Sequence, residues 1–155
     1  IGVIHSPFKK PKGTPIQPAA GKGVEGRVEV FPEYTQGLKD LEGFSHIFLL
    51  YHFHLAGRMA LIVEPFLDDR EHGVFATRAV SRPNPIGLSV VRLAGIRDNI
   101  INVEDMDIVD GTPVLDIKPY VHEFDTRQRT KRGWLTGSIK KLPETRDDGR
   151  FSRRV

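Results

Sequence analysis

Residues 81–87 read SRPNPIG, an arginine and an amide set between prolines. Pro83 and Pro85 lack a backbone N–H and hold φ near about −65°. Each also drives its predecessor, Arg82 and Asn84, out of the helical region. The stretch can therefore be neither helix interior nor central strand. With Arg78 just upstream, it offers guanidinium and amide donors on a stiff loop, and a pre-ordered loop loses little entropy when it binds. A second polar turn, Asp110-Gly111-Thr112-Pro113, has an aspartate that can cap its own backbone, a glycine that tolerates positive φ and a proline that limits continuation. Beyond it Asp116, Lys118 and Tyr120 alternate with Leu115, Ile117 and Pro119, so an acid, a base and a phenol share one strand face. On spacing alone these three serve equally as a surface ion pair.

Two further clusters carry polar side chains. GTPIQP, residues 13–18, has Gln17 as its only amide and reads by itself as a surface loop. HIFLLYHFH places His46, His52 and His54 at even positions, which a straight strand sends to one face. His-x-His can ligate a metal through its imidazole nitrogens. No neighbouring carboxylate or cysteine completes a ligand set, so the expected metal ligands are none, and a single histidine lining a pocket is the favoured reading.

These residues need elements to hold them. VEGRVEV (24–30) puts Val24, Val28 and Val30 on one face, as in a half-buried strand. HIFLLYHF (46–53) reads as a buried strand, and PEYTQGLKDLEGF as a short helix weakened by Gly37. MALIVEPF, GVFAT, LSVVRLAGI, NIINVEDMDIV and VLDIKPYV read as further strands between Gly, Pro, Asp and Asn. In the fourth of these, Ile101 and Val103 fall out of register with Met106 and Ile108, which a bulge near Glu104–Asp105 would reconcile. Short, closely spaced strands of this number predict a mainly β chain, a small barrel with one or two short helices. No G-x-G-x-x-G opens a helix, so any nucleotide cofactor binds by a route other than a doubly wound sheet.

Composition bounds the rest. With 155 residues, 39% hydrophobic and 28% charged, the chain is globular and large enough for a real core. Cysteine is absent, which excludes disulfides and thiolate metal sites and fits a reducing, cytoplasmic location. No apolar run reaches a membrane span, and no signal-peptide pattern is present. The net charge of +3 hides an asymmetry. Residues 1–126 hold 13 Lys and Arg against 17 Asp and Glu, whereas residues 127–155 hold 10 against 3. The expected division is a barrel domain over 1–126 and a basic C-terminal extension over 127–155. That extension is either a solvated tail or a surface that attracts a polyanion.

IGVIHSPFK, GVFATRAVSRPNPIGLS and DGTPVLDIKPY, in this order, together resemble the tRNA N6-threonylcarbamoyladenosine methyltransferases of the TrmO group, over residues 1 to about 124. The resemblance implies a single-sheeted β-barrel, S-adenosyl-L-methionine as methyl donor, a tRNA substrate and a homodimer with the cofactor near the subunit interface. It implies cofactor contacts at Gln17 and Pro18, at His54 and Leu55, at Arg82, and at Asp110, Gly111, Thr112 and Pro113. Three departures stand out. AVS (79–81) replaces an expected Ser-Pro, His122 follows DIKPY where proline is common, and where longer relatives carry an additional C-terminal domain the basic extension with Trp134 is the expected substitute in tRNA contact.

The implied reaction carries a methyl group to the exocyclic N6 of the modified adenosine beside the anticodon, with loss of a proton. Asp116 or Tyr120 is the candidate acceptor of that proton, with Lys118 tuning the charge. Arg78 or Arg82 suits the threonyl carboxylate, and Asn84 joins Arg78 as a candidate substrate contact. Three rivals remain: a non-enzymatic RNA-binding barrel, a methyltransferase acting on a small molecule and a His-dependent metal hydrolase.

Overall fold

A computed structural model describes residues 1–152. Eight strands run in chain order: β1 (Gly2–His5), β2 (Gly26–Val30), β3 (His46–His52), β4 (Ile62–Val63), β5 (His72–Gly73), β6 (Ile86–Arg97), β7 (Ile100–Glu104) and β8 (Pro113–Pro119). Six of them close an antiparallel barrel in the order β1-β2-β7-β6-β3-β8, and β8 returns to β1 through Gly2 opposite Val114. Among the described residues helix is confined to α1 (His122–Asp125) and short 3₁₀ turns. The mainly β barrel with short helices expected from the pattern is the fold that forms.

The interior follows from period-two alternation. Ile47, Leu49 and Tyr51 of β3 point inward, as do Val28 and Val30 of β2, Val91 of β6, and Ile101 and Val103 of β7. Closure removes the open edges that would otherwise expose unpaired backbone groups. β1 is a strand that the apolar pattern did not mark. It is only four residues long and contains Gly2, where a Cβ would collide with the Glu29 carbonyl oxygen of β2.

Three regions depart from the sequence expectation for physical reasons. MALIVEPF and GVFAT form no barrel strands. Only Ile62–Val63 and His72–Gly73 pair, over a second core of Val63, Val74 and Ala79 too small to support longer strands. PEYTQGLKDLEGF makes two 3₁₀ turns, Pro32–Leu38 and Leu41–Gly43, instead of one helix, with Asp40 between them at φ 66°. The register change near Glu104–Asp105 is real but is no bulge in a ladder: β7 ends at Glu104 and Asp105 turns left-handed. The Asp105 carboxylate accepts the Gly23 N–H at 2.7 Å, and the Met106 N–H donates to the Val24 carbonyl. Met106, Asp107 and Ile108 are then all buried.

Gly87, the last residue of SRPNPIG, is the second residue of β6 and lies directly beneath the Tyr51 ring, with which a Cβ would clash. Gly87→Ala is expected to cost about 1–3 kcal/mol by overpacking, measured as a fall in the denaturant midpoint. An unchanged midpoint would mean that the ring moves freely.

Candidate active site

A cleft of about 970 Å³ opens beside the barrel, walled by β3, β6, the 15–19 loop, the 75–82 segment and the C-terminal turns. Its volume lies within the range of small-molecule sites. Gln17, Pro18, His54, Leu55, Arg78, Arg82 and Thr112 all line it, so side chains from four separate motifs meet in one space.

The loop of Gln17 and the segment of Arg78 are joined directly: Arg78 Nη1 donates to Gln17 Oε1 at 2.5 Å. Arg82 does not stand out into solvent. Its Nη1 donates to the carbonyls of Val74, Thr77 and Ala79 at 3.1, 2.9 and 3.3 Å, and its guanidinium lies 5.8 Å from the Phe75 ring centroid. Arg82 thus clamps the segment that presents Arg78. The stiff prolines set its backbone, and the clamp sets the loop. Burial and the neighbouring His52 hold the His54 imidazole below the usual histidine range.

The DGTP turn is knitted to the chain's first residues. Ser6 N–H donates to Asp110 Oδ1 at 2.9 Å, Lys9 Nζ pairs with Asp110 Oδ2 at 2.9 Å, and Gly111 N–H donates to the Ile4 carbonyl. The bond from Lys9, then the one from Ser6, keeps the Asp110 carboxyl below the usual carboxylate range. Gly111 sits at φ 77°, a left-handed position that favours glycine. Of the four turn residues only Thr112 faces the large cleft; Asp110 lines a neighbouring polar groove of about 560 Å³ with His5, Lys9 and Arg27. Asn84 is exposed and lies outside the cleft lining.

Asp116, Lys118 and Tyr120 do share the outer face of the barrel, as alternation requires. Asp116 and Lys118 pair at 2.9 Å, and that bond lowers the Asp116 pKa. Tyr120 packs on His46 and Phe48 at 6.2 and 5.7 Å between ring centroids. None of the three lines the cleft, although Phe48 does. His46 and His52 flank Phe48 on this outer strand face, and His54 lies beyond the strand's end.

Asp107 lines the cleft unforeseen. It is 9% exposed, and Ser89 Oγ donates to its Oδ1 at 2.7 Å. With its proton so used, Ser89 Oγ accepts from the Tyr51 hydroxyl at 3.0 Å. Burial pushes the Asp107 carboxyl up to about 7, against the opposing pull of Ser89 and Arg78. The Tyr51 hydroxyl is pushed up by burial and by the Asp107 charge. The one sequence signal for Asp107 was the register break that precedes it.

The C-terminal turns Gly133–Thr136 and Ile139–Glu144 close another side of the cleft with Leu135, Ile139 and Leu142. Trp134 Nε1 donates to the Ala76 carbonyl at 2.8 Å, and its ring stacks on His72 at 4.7 Å. Asp147 bonds back to residues 13 and 14, and Phe151 packs on Phe66. Trp134→Ala is expected to loosen this wall by about 2 kcal/mol through the lost stack and hydrogen bond. Faster tryptic cleavage at the exposed Lys140 and Lys141 would report it, and unchanged cleavage would refute it.

Comparison with known proteins places this arrangement. Residues 3–126 match the family described as tRNA-methyltransferase O N-terminal domain. A Pyrococcus abyssi protein named "Probable S-adenosyl-L-methionine-binding protein" is 61% identical over 151 residues, which are 97% of this chain and 82% of that one. The Escherichia coli tRNA (adenine(37)-N6)-methyltransferase is 41% identical over 131 residues, covering 78% of this chain and 56% of its own. The crystal structure of TrmO from Pseudomonas aeruginosa superposes with a TM-score of 0.72 at 40% identity, over 86% of this chain and 60% of that one. The chain therefore spans little more than half the length of these last two. With the match running from β1 through α1, the chain belongs to the tRNA-methyltransferase O N-terminal domain family.

Proposed function

We propose that this chain methylates N6 of the adenosine beside the anticodon of a tRNA, using S-adenosyl-L-methionine, and that the acceptor carries a threonylcarbamoyl group. The observation that carries the reading is the convergence of Gln17, Pro18, His54, Leu55 and Arg82 on one 970 Å³ cleft in a chain of this family. The cleft's chemistry fits the cofactor. Phe48, Phe53 and Phe66 offer apolar faces to an adenine, and the Arg78–Gln17 pair offers donors to a carboxylate. Thr112 would contribute from the 110–113 turn, with Asp110, Gly111 and Pro113 shaping it. When bound, the cofactor supplies an electrophilic methyl group. The chain's residues then have to orient the acceptor, exclude water and remove one proton, so positioning dominates the catalysis.

A homodimer with the cofactor near its interface is part of this reading. Phe75, Ile86 and Leu88 line the cleft yet are 75%, 48% and 49% exposed, an apolar rim that a second copy would cover. Asp116, Lys118, Tyr120 and Asn84, outside the cleft of their own subunit, would then lie toward the partner or the acceptor. The exposed Arg127, Arg129, Lys131, Arg132, Lys140 and Lys141 would meet the tRNA backbone as a basic extension beside the 1–126 domain. Arg153 and Arg154 fall outside the described residues. No helix among the described residues is long and apolar enough to cross a membrane, and a tRNA substrate would place the chain in the cytoplasm.

Incubation with tRNA and labelled S-adenosyl-L-methionine should add one methyl mass to threonylcarbamoyladenosine, read by nucleoside mass spectrometry. Cofactor binding and RNA binding with no such product would favour a small-molecule acceptor. RNA binding with no affinity for the cofactor would favour a non-enzymatic barrel.

A further inference from the structure

We infer that Asp107 is the group that takes the proton from the acceptor nitrogen, acting from the buried end of the cleft with its carboxylate fixed by Ser89 and Tyr51; this rests on the methyltransferase reading above. Among the described residues, the cleft is lined by two carboxylates, Asp107 and Asp147. Asp147 belongs to the C-terminal turn, where its Oδ1 caps the Gly149 N–H at 2.6 Å. Asp107 sits at the end of the barrel strands, held by a chain of hydrogen bonds from Tyr51 on β3 through Ser89 on β6. Asp116, by contrast, is about half exposed and neutralised by Lys118, which makes it a weak base outside the cleft.

The charge balance suits the step. The N–H bond breaks and the proton passes to the Asp107 carboxylate. The freed pair forms the nitrogen–carbon bond to the incoming methyl, and the pair of the broken carbon–sulfur bond stays on sulfur. A carboxylate and a sulfonium are both neutralised, so charge disappears inside a desolvated site. The titratable or charged groups facing Asp107 are Arg78 from the 75–82 segment and Tyr51 from β3, with neutral Ser89 from β6. A carboxyl titrating near neutrality is well matched to general-base work.

Two variants and one spectroscopic reading test this. D107N should bind S-adenosyl-L-methionine in calorimetry like the wild type while its single-turnover tRNA methylation falls by about 10²–10⁴-fold. The wild-type rate should rise with pH up to about 7 and then level, and the residual D107N rate should lack that limb. S89A keeps the carboxylate but removes a donor that favours its charged form, so its limb should move to higher pH. Independently of activity, ¹³C NMR of carboxyl-labelled aspartates in the cofactor-free protein should show one resonance, absent in D107N, that titrates near neutral pH. An active wild type with D107N equally fast, or with the S89A limb unmoved, overturns the assignment alone. A wild type that methylates no tRNA overturns the underlying reading and this one with it.

Discussion

At pH 9 the Asp107→Asn variant is expected to unfold at a higher temperature than the wild type, and at pH 4 the two should be nearly alike. Asp107 is buried among Met106, Ile108 and the barrel strands, and its folded carboxyl titrates near 7 instead of its ordinary 3.8. A raised folded-state pKa gives stability that is complete below the unfolded value and lost as pH climbs through the folded one. Between about pH 4 and 7 the folded chain therefore holds a proton that the unfolded chain has released, and stability declines across that window. The shift corresponds to up to about 4 kcal/mol at high pH. Asparagine is neutral throughout and keeps an oxygen to accept the Ser89 hydroxyl. Thermal melts of both proteins between pH 4 and 9 measure the effect. Parallel curves would show that Asp107 is not desolvated as the fold implies. A variant that gains stability while losing methyl transfer is the pattern of a strained functional group.

Arg82→Ala should be the most damaging change in the SRPNPIG stretch, and its damage should reach stability as well as methyl transfer. One guanidinium nitrogen serves three carbonyls between Val74 and Ala79. Its removal takes this donor from the buried Thr77 and Ala79 carbonyls, while the Val74 carbonyl keeps the Thr77 N–H and hydroxyl, a loss of about 3 kcal/mol on the scale of such groups. It also releases Arg78 from its place beside Gln17, so cofactor affinity and tRNA methylation should fall together. Lysine at this position restores charge but not the planar fork, and Arg82→Lys should recover only part of the loss. Calorimetric binding and denaturant unfolding separate the two effects. Full stability in Arg82→Ala with lost binding would mean that the arginine acts as a direct contact only.

The barrel was legible in the sequence wherever a local pattern sufficed. Ile47, Leu49 and Tyr51 alternate with polar or half-exposed neighbours, and so do Val28 and Val30, because one buried face repeats every second residue. The stiffness of residues 82–87 was equally local, since proline restricts its own dihedral and its predecessor's. The common face of Asp116, Lys118 and Tyr120 followed from the same alternation.

Other features depended on contacts distant in sequence. β1 gains its strand pairing from β2 and β8, through Gly2 against Val30 and Val114. MALIVEPF, with Met59, Leu61 and Ile62 left exposed, had the composition of a strand but no barrel partner to pair with. Whether Arg82 faced solvent or its own loop was decided by the 3₁₀ turn Val74–Ala76 and the residues after it, which turn the Val74, Thr77 and Ala79 carbonyls toward it. Asp107 shows the limit most clearly. Alternation after Val103 says nothing reliable once Asp105 turns left-handed, and only closure of the barrel over Ser89 and Tyr51 makes that carboxylate a buried one. Sequence alone determined five of the six barrel strands, β2, β3, β6, β7 and β8, together with the rigid turns and the family resemblance, because these are written in neighbouring residues. Tertiary structure alone decided which polar groups lost their water, because burial is a property of what packs around a residue.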